Sequence, residues 1–158
     1  METLNRAIEV TERMRDALAA EVARAREQRL LIRKLDSEKL FQRAQDRAQF
    51  NATLAHLEVQ LATELAGAGQ SLGLQEVSIE ALRTRFPAEA RKLADCFAQV
   101  RALAAALAEL DALNRQLAAR ALSCVRGYVN ALMGPANAYD KRGMSTSRSS
   151  LYTSSRTA

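Results

Sequence analysis

Apolar residues recur at steps of three and four along most of the chain, with polar residues filling the intervals. The longest such stretch runs from Phe86 to Met133. There Leu93, Phe97, Val100, Leu103, Leu107, Leu110, Leu113 and Leu117 return to one face of a helix. Alanine fills much of the remainder and costs least in a helix. Pro87 suits a first helical turn, where its missing N–H would be unpaired anyway. Gly134-Pro135 suits a stop, since glycine takes the left-handed cap conformation and proline cannot continue the helix. The pattern predicts one helix of roughly 45 residues, about 70 Å long at ~1.5 Å per residue. A helix of that length exceeds the needs of a globular core, so it must pack along other long helices.

Two earlier stretches supply those partners. Residues 2–35 carry a heptad pattern with Leu4, Thr11, Leu18, Ala25 and Ile32 at one core position and Ala7, Met14, Glu21, Gln28 and Leu35 at the other. Ile8, Val22 and Leu31 widen the stripe enough to touch two neighbours. Glu21 and Gln28 interrupt the seam; buried polar residues there can fix register, but the preferred reading is a surface-facing turn where the stripe drifts. A break at Asp36-Ser37-Glu38 offers capping oxygens and a carboxylate for the start of a second helix over about 38–66. Its stripe is Phe50, Leu54, Leu57, Leu61 and Leu65. The short connection implies antiparallel packing, although neither glycine nor proline marks it, and one kinked helix is the other reading. Gly67-Ala-Gly-Gln-Ser-Leu-Gly73 has the composition of a loop. Ser78 then caps a short helix ending before Phe86-Pro87. The expected fold is all-α: an antiparallel helical bundle or coiled coil of three main helices over residues 1–134.

From Gly134 the composition changes. Nine of the last fourteen residues are Ser or Thr, too polar to offset their ordering entropy, so residues 135–158 are expected to form a disordered tail. Tyr139 and Tyr152 stand within it. An aromatic outside the core is either a docking residue or an incidental exposed ring, and composition does not separate the two.

Charge adds little. Residues 1–134 carry 19 bases against 17 acids and residues 135–158 four against one, so the body is no nucleic-acid platform. The apolar share is alanine and leucine, with 4% aromatics and no Trp, an inventory for helix seams. Cys96 and Cys124 lie about 42 Å apart on one helix and cannot pair. They read as small core residues of a reducing compartment. No signal-type or membrane-spanning apolar run occurs, which points to a cytoplasmic protein without membrane insertion. His56 is the single histidine, leaving imidazole metal clusters and Ser-His-Asp triads without members. Gly67-x-Gly69-x-x-x-Gly73 lacks the lysine and strand of a phosphate loop. No catalytic residue, metal or cofactor is expected, and the protein is not read as an enzyme.

Two local stretches carry a family likeness. Leu110-Asp-Ala-Leu-Asn114, followed by Leu117 and Leu122, is similar to a Leu-x-x-Leu-Asn run on the long helix of flagellar type III export chaperones of the FlgN kind. Ala138-Tyr-Asp-Lys-Arg-Gly143 resembles that family's Tyr-x-x-x-Gly tail motif. One departure is Gln116-Leu-Ala118, where family members often repeat an asparagine. The resemblance implies a chaperone that shields the C-terminal oligomerising segments of hook-associated junction proteins. It delivers them to the flagellar export gate and components of its ATPase complex. A client's amphipathic segment would then lie along the leucines of residues 103–132, helix in groove. The residues expected to hold it are Leu103, Leu107, Leu110, Leu113, Asn114, Leu117 and Leu122. The resemblance carries Tyr139 over as the contact to the export gate. The competing class is a structural coiled-coil adaptor or self-assembling scaffold, in which the same leucines form a homodimer seam. Such a scaffold has no need of Tyr139 and Gly143 in a disordered end.

Overall fold

The structure, a computed structural model, describes residues 2–73 and 77–133. Among them are four helices: α1 (Glu2–Lys34), α2 (Ser37–Leu72), α3 (Ile79–Arg85) and α4 (Pro87–Met133), with no strand. The chain divides into two compact units, Met1–Ala121 and Leu122–Ala158. In the second unit the described residues are the last turns of α4. The predicted tail, with Tyr139, and the stop at Gly134-Pro135 lie outside the described residues.

The connections follow from capping chemistry. α1 ends with Leu35 in the left-handed region (φ 53°). The amide of Leu35 donates to Ile32 O, and that of Asp36 donates to Leu31 O at 3.1 Å. These two bonds satisfy carbonyls that the helix end leaves free. Asp36 then caps α2, its carboxylate accepting from Lys39 N at 3.2 Å. Helices one and two are therefore separate, joined by two residues. Ser78 caps α3 by accepting from Ala81 N at 3.1 Å, and Pro87 opens α4 as its first residue.

The glycine-rich stretch behaves differently from its composition. α2 continues through Gly67 and Gly69 to Leu72 and stops at Gly73 (φ 65°). Ala68 and Gly69 are buried, and Ala68 packs in a cluster with Leu4, Ile8, Leu82, Ala90 and Leu93. A Cβ at Gly67 would touch the Thr3 methyl at 3.6 Å. That is an ordinary van der Waals distance; the packing of this turn on Leu4 and Ile8 is what offsets the cost of helical glycines, about 1 kcal/mol each. Arg85 Nη1 donates to Leu72 O at 2.7 Å, tying α3 to the end of α2.

Three apolar clusters fill the first unit. The first joins Leu4 and Ile8 to Ala68, Leu82 and Leu93. The second joins Ala7, Val10 and Met14 to Leu57 and Leu61. The third joins Leu18, Val22 and Ala25 to Phe50 and Leu107. As α1 numbers rise, α2 numbers fall and α4 numbers rise, so α2 is antiparallel to both and α4 parallel to α1. Leu93 clusters with Leu4 and Ile8, Leu107 with Leu18, Val22 and Ala25, and Asn114 bonds Ala25. The two long helices thus run side by side through the bundle. Leu4, Leu57, Leu82 and Leu93 are almost fully buried, each burial contributing about 1.5–3 kcal/mol.

Candidate functional site

α4 carries both internal and external apolar positions. Leu107 is 5% exposed and packs against Leu18, Val22 and Phe50. Leu103 and Leu110 are half-buried against the same cluster. Leu117 is half-buried and Leu113 is exposed. Asn114 is buried, and its Nδ2 donates to the Ala25 carbonyl at 2.8 Å. Of the residues expected to hold a client, Leu107 and Asn114 therefore also serve the bundle's own interior. In the second unit, Leu122 is exposed, as are Val125, Tyr128, Val129 and Leu132. Leu122, Val125, Val129 and Leu132 recur at steps of three and four, so they share one face of the helix. Leu122 and Leu132 belong to the leucine stretch 103–132 expected to hold a client. The same spacing rule extended to valine finds Val125 and Val129.

A polar layer borders the third cluster. Glu21 is fully buried, which corrects its reading as a surface-facing turn. Its place in the heptad, between Leu18 and Ala25, puts it inside, and α2 supplies what it needs. Arg43 and Arg47, one turn apart, both donate to Glu21 Oε1, Arg47 at 2.9 Å. Arg24 donates to Oε2 at 3.0 Å. Arg47 also reaches across to α4, with Nη2 2.5 Å from Asp111 Oδ2. Its guanidinium stands 5.4 Å from the Phe50 ring centroid, within cation–π range. One carboxylate from α1, two guanidiniums from α2 and one carboxylate from α4 thus interlock. Taking such charges out of water costs several kcal/mol per ion, so the layer fixes register more than it adds stability. Sequence reasoning left this layer unread. Its signal was a glutamate at a core heptad position with two arginines at i, i+4 spacing on the next helix.

Beside the layer lies a cavity of about 590 Å³, lined by Gln28, Arg43, Arg47, Asp111, Asn114 and Arg115 together with Leu40 and three alanines. Gln28 is half-buried. Arg43 Nε and Nη1 and Asn114 Oδ1 are buried and have no hydrogen-bond partner among the described residues.

The cysteines divide. Cys96 is buried and Cys124 exposed, which corrects the expectation that both are core residues. Burial, with Glu12 adding to it, pushes the Cys96 thiol up from its ordinary pKa. Among the described residues no group of three or more His, Cys, Asp or Glu is placed to hold a metal. No described helix is long and apolar enough to cross a membrane.

Comparison with protein families places this arrangement. A family model described as FlgN protein matches residues 1–147, nearly the whole chain. No curated protein and no solved structure matches it. The chain belongs to the FlgN family and shares its general role as a flagellar export chaperone.

Proposed function

We propose that this FlgN-family chain is a cytoplasmic chaperone for hook-associated junction proteins, holding an amphipathic C-terminal segment of the client along α4. The supporting observation is the run of exposed apolar residues Leu122, Val125, Val129 and Leu132 on one face. Such a stripe, without a partner in the described chain, suits the apolar face of a client helix. Leu113 and the half-buried Leu103, Leu110 and Leu117 add contact area where they reach the surface. Leu107 and Asn114 would act from within, by holding α4 on α1. Tyr139 delivers the loaded chaperone to the export gate and its ATPase complex, its ring anchoring in a partner pocket.

The test uses C-terminal segments of the junction proteins from the same flagellar system. Leu122→Asp and Leu132→Asp should weaken binding at least tenfold while leaving the thermal melt unchanged, since both leucines are exposed. A charge buried in an apolar contact costs several kcal/mol unless paired. Wild-type affinity in both variants overturns the docking assignment. Tyr139→Ala should hold client normally yet fail to recruit it to the gate protein, and normal recruitment removes that role. In the scaffold reading the same leucines would instead pair between copies. Residues 122–132 span only about 16 Å of helix, short of the three to four heptads that mark a sustained coiled coil. Sedimentation should accordingly show a monomer at tens of micromolar, and a stable dimer abolished by Leu122→Asp would favour the scaffold.

A further inference from the structure

We propose that the cavity beside Arg43 receives one acidic side chain of the bound client, a charge-reading site in addition to the apolar face. The proposal rests on the chaperone reading above and sharpens which segments the chain accepts.

The argument starts from unmet bonding capacity. Arg43 is 7% exposed, yet two of its guanidinium nitrogens, Nε and Nη1, lack an acceptor among the described residues. Its remaining bond goes to Glu21. A buried donor without an acceptor costs free energy that a ligand oxygen recovers, and bonds to charged groups are the stronger kind. Charge then selects the ligand. Four guanidiniums, of Arg24, Arg43, Arg47 and Arg115, line the cavity or belong to the ion-pair layer beside it, against the two carboxylates of Glu21 and Asp111. Positive charge is in excess. Arg115 is exposed and makes no ion pair among the described residues. The excess selects an anion and repels a cation, and a carboxylate is the anion that a polypeptide client carries. The cavity volume of about 590 Å³ is ample for a carboxylate and for waters at roughly 30 Å³ each. One of those waters can donate to Asn114 Oδ1.

Access favours a side chain borne by a polypeptide over a free small acid. Ala108, Asp111, Arg115 and Ala118 fall at steps of three and four and share a face of α4. The two alanines, with Ala44 and Leu40 on α2, supply the apolar part of the lining, against which the stem of a client side chain can pack. A client segment laid along this face would bring a Glu or Asp over the opening, its oxygens turned toward Arg43 and Arg115.

The experiment uses the full chain and the same junction-protein segments. Arg115→Glu, an exposed change, should leave the melt unaltered and weaken client binding at least tenfold. Neutralising the client's acids one at a time, Asp to Asn and Glu to Gln, should identify one whose loss weakens binding to the wild type by a similar factor. Lysine at that client position should restore affinity for Arg115→Glu. In the wild-type complex the Arg43 Nε–H resonance should shift, and the shift should vanish with the neutralised client. Wild-type affinity in Arg115→Glu, or a client in which no acid matters, overturns the site. A resonance shift produced equally by free acetate, without competition from the client, assigns the cavity to small acids and also overturns it. If the wild-type chain binds no junction segment at all, the chaperone reading falls first and this proposal with it.

Discussion

The buried carboxylate of Glu21 gives the sharpest test of the bundle's design. Its side chain has no exposure and faces Arg43, Arg47 and Arg24, whose side chains are 8%, 28% and 46% exposed. Glu21→Ala removes one charge and strands the others unequally. Arg24 can turn to water, and its pair contributes about 0–1 kcal/mol. Arg47 keeps Asp111. Arg43 keeps no carboxylate, so its buried charge is left uncompensated, a situation that costs on the order of 3–5 kcal/mol. The expected loss is thus about 3–5 kcal/mol, or roughly 6–20 °C in melting temperature at ~2–4 °C per kcal/mol for a chain of this size. The diagnostic variant is the double substitution Glu21→Ala with Arg43→Met. It removes both ends of the worst mismatch and fills the space with an apolar chain, so stability should return to within about 1–2 kcal/mol of wild type. Urea unfolding followed by helical circular dichroism measures all three. A loss under about 1 kcal/mol in Glu21→Ala, or no recovery in the double variant, refutes the reasoning.

Three further outcomes are expected. Leu35→Gly should stabilise the chain by up to about 1 kcal/mol, because Leu35 is exposed at a positive φ that glycine adopts without strain; urea midpoints decide it, and a destabilised variant would refute it. A thiol reagent should modify Cys124 rapidly and Cys96 only on unfolding, since Cys96 is buried and its pKa is raised chiefly by that burial; equal rates would count against the packing of α4 on α1. Asp36 has its pKa lowered, first by the Lys39 amide that it caps, so its contribution is present above the unfolded value of about 3.9 and is lost as pH falls through the lower folded value. Asp36→Asn, which keeps the cap without the charge, should show a shallower acid loss below about pH 4, and an unchanged acid limb would refute the assignment.

The helices were legible because their signals are local and repeated. Steps of three and four, Pro87, Ser78 and Asp36 each state their purpose within a few residues, and α1, α3 and α4 follow them closely. Gly67 and Gly69 misled, because composition reports only the local cost of glycine in a helix. The compensating contact comes from Leu4 and Ile8, on another helix. Glu21 misled for the same reason. A glutamate in a seam is costly until Arg43 and Arg47 are placed beside it, and no spacing within α1 announces them. On α4 the leucine pattern marked the apolar side without separating what faces α1, as Leu107 does, from what faces solvent, as Leu113 does. That distinction depends on where the partner helices lie, which is a tertiary fact.

The late arrival of α4 beside α1 has a consequence during synthesis. The hairpin of α1 and α2 needs only a two-residue connection and is complete once residue 72 has been made. Its outer seam must wait for Leu93, Leu107 and Asn114. At ~5–20 residues per second, the interval from residue 72 to residue 114 lasts about 2–8 s. Throughout that time Leu4 and Leu18 lack their α4 partners, and the contacts still to form are the ones with the largest loop to close. Glu21 already has both α2 arginines in the hairpin, whereas Arg47 waits for Asp111. The nascent chain therefore passes through a half-clad hairpin whose open flank is apolar at one end and charged at the other. The charged end works against the flank closing on another newly made hairpin before its own fourth helix arrives.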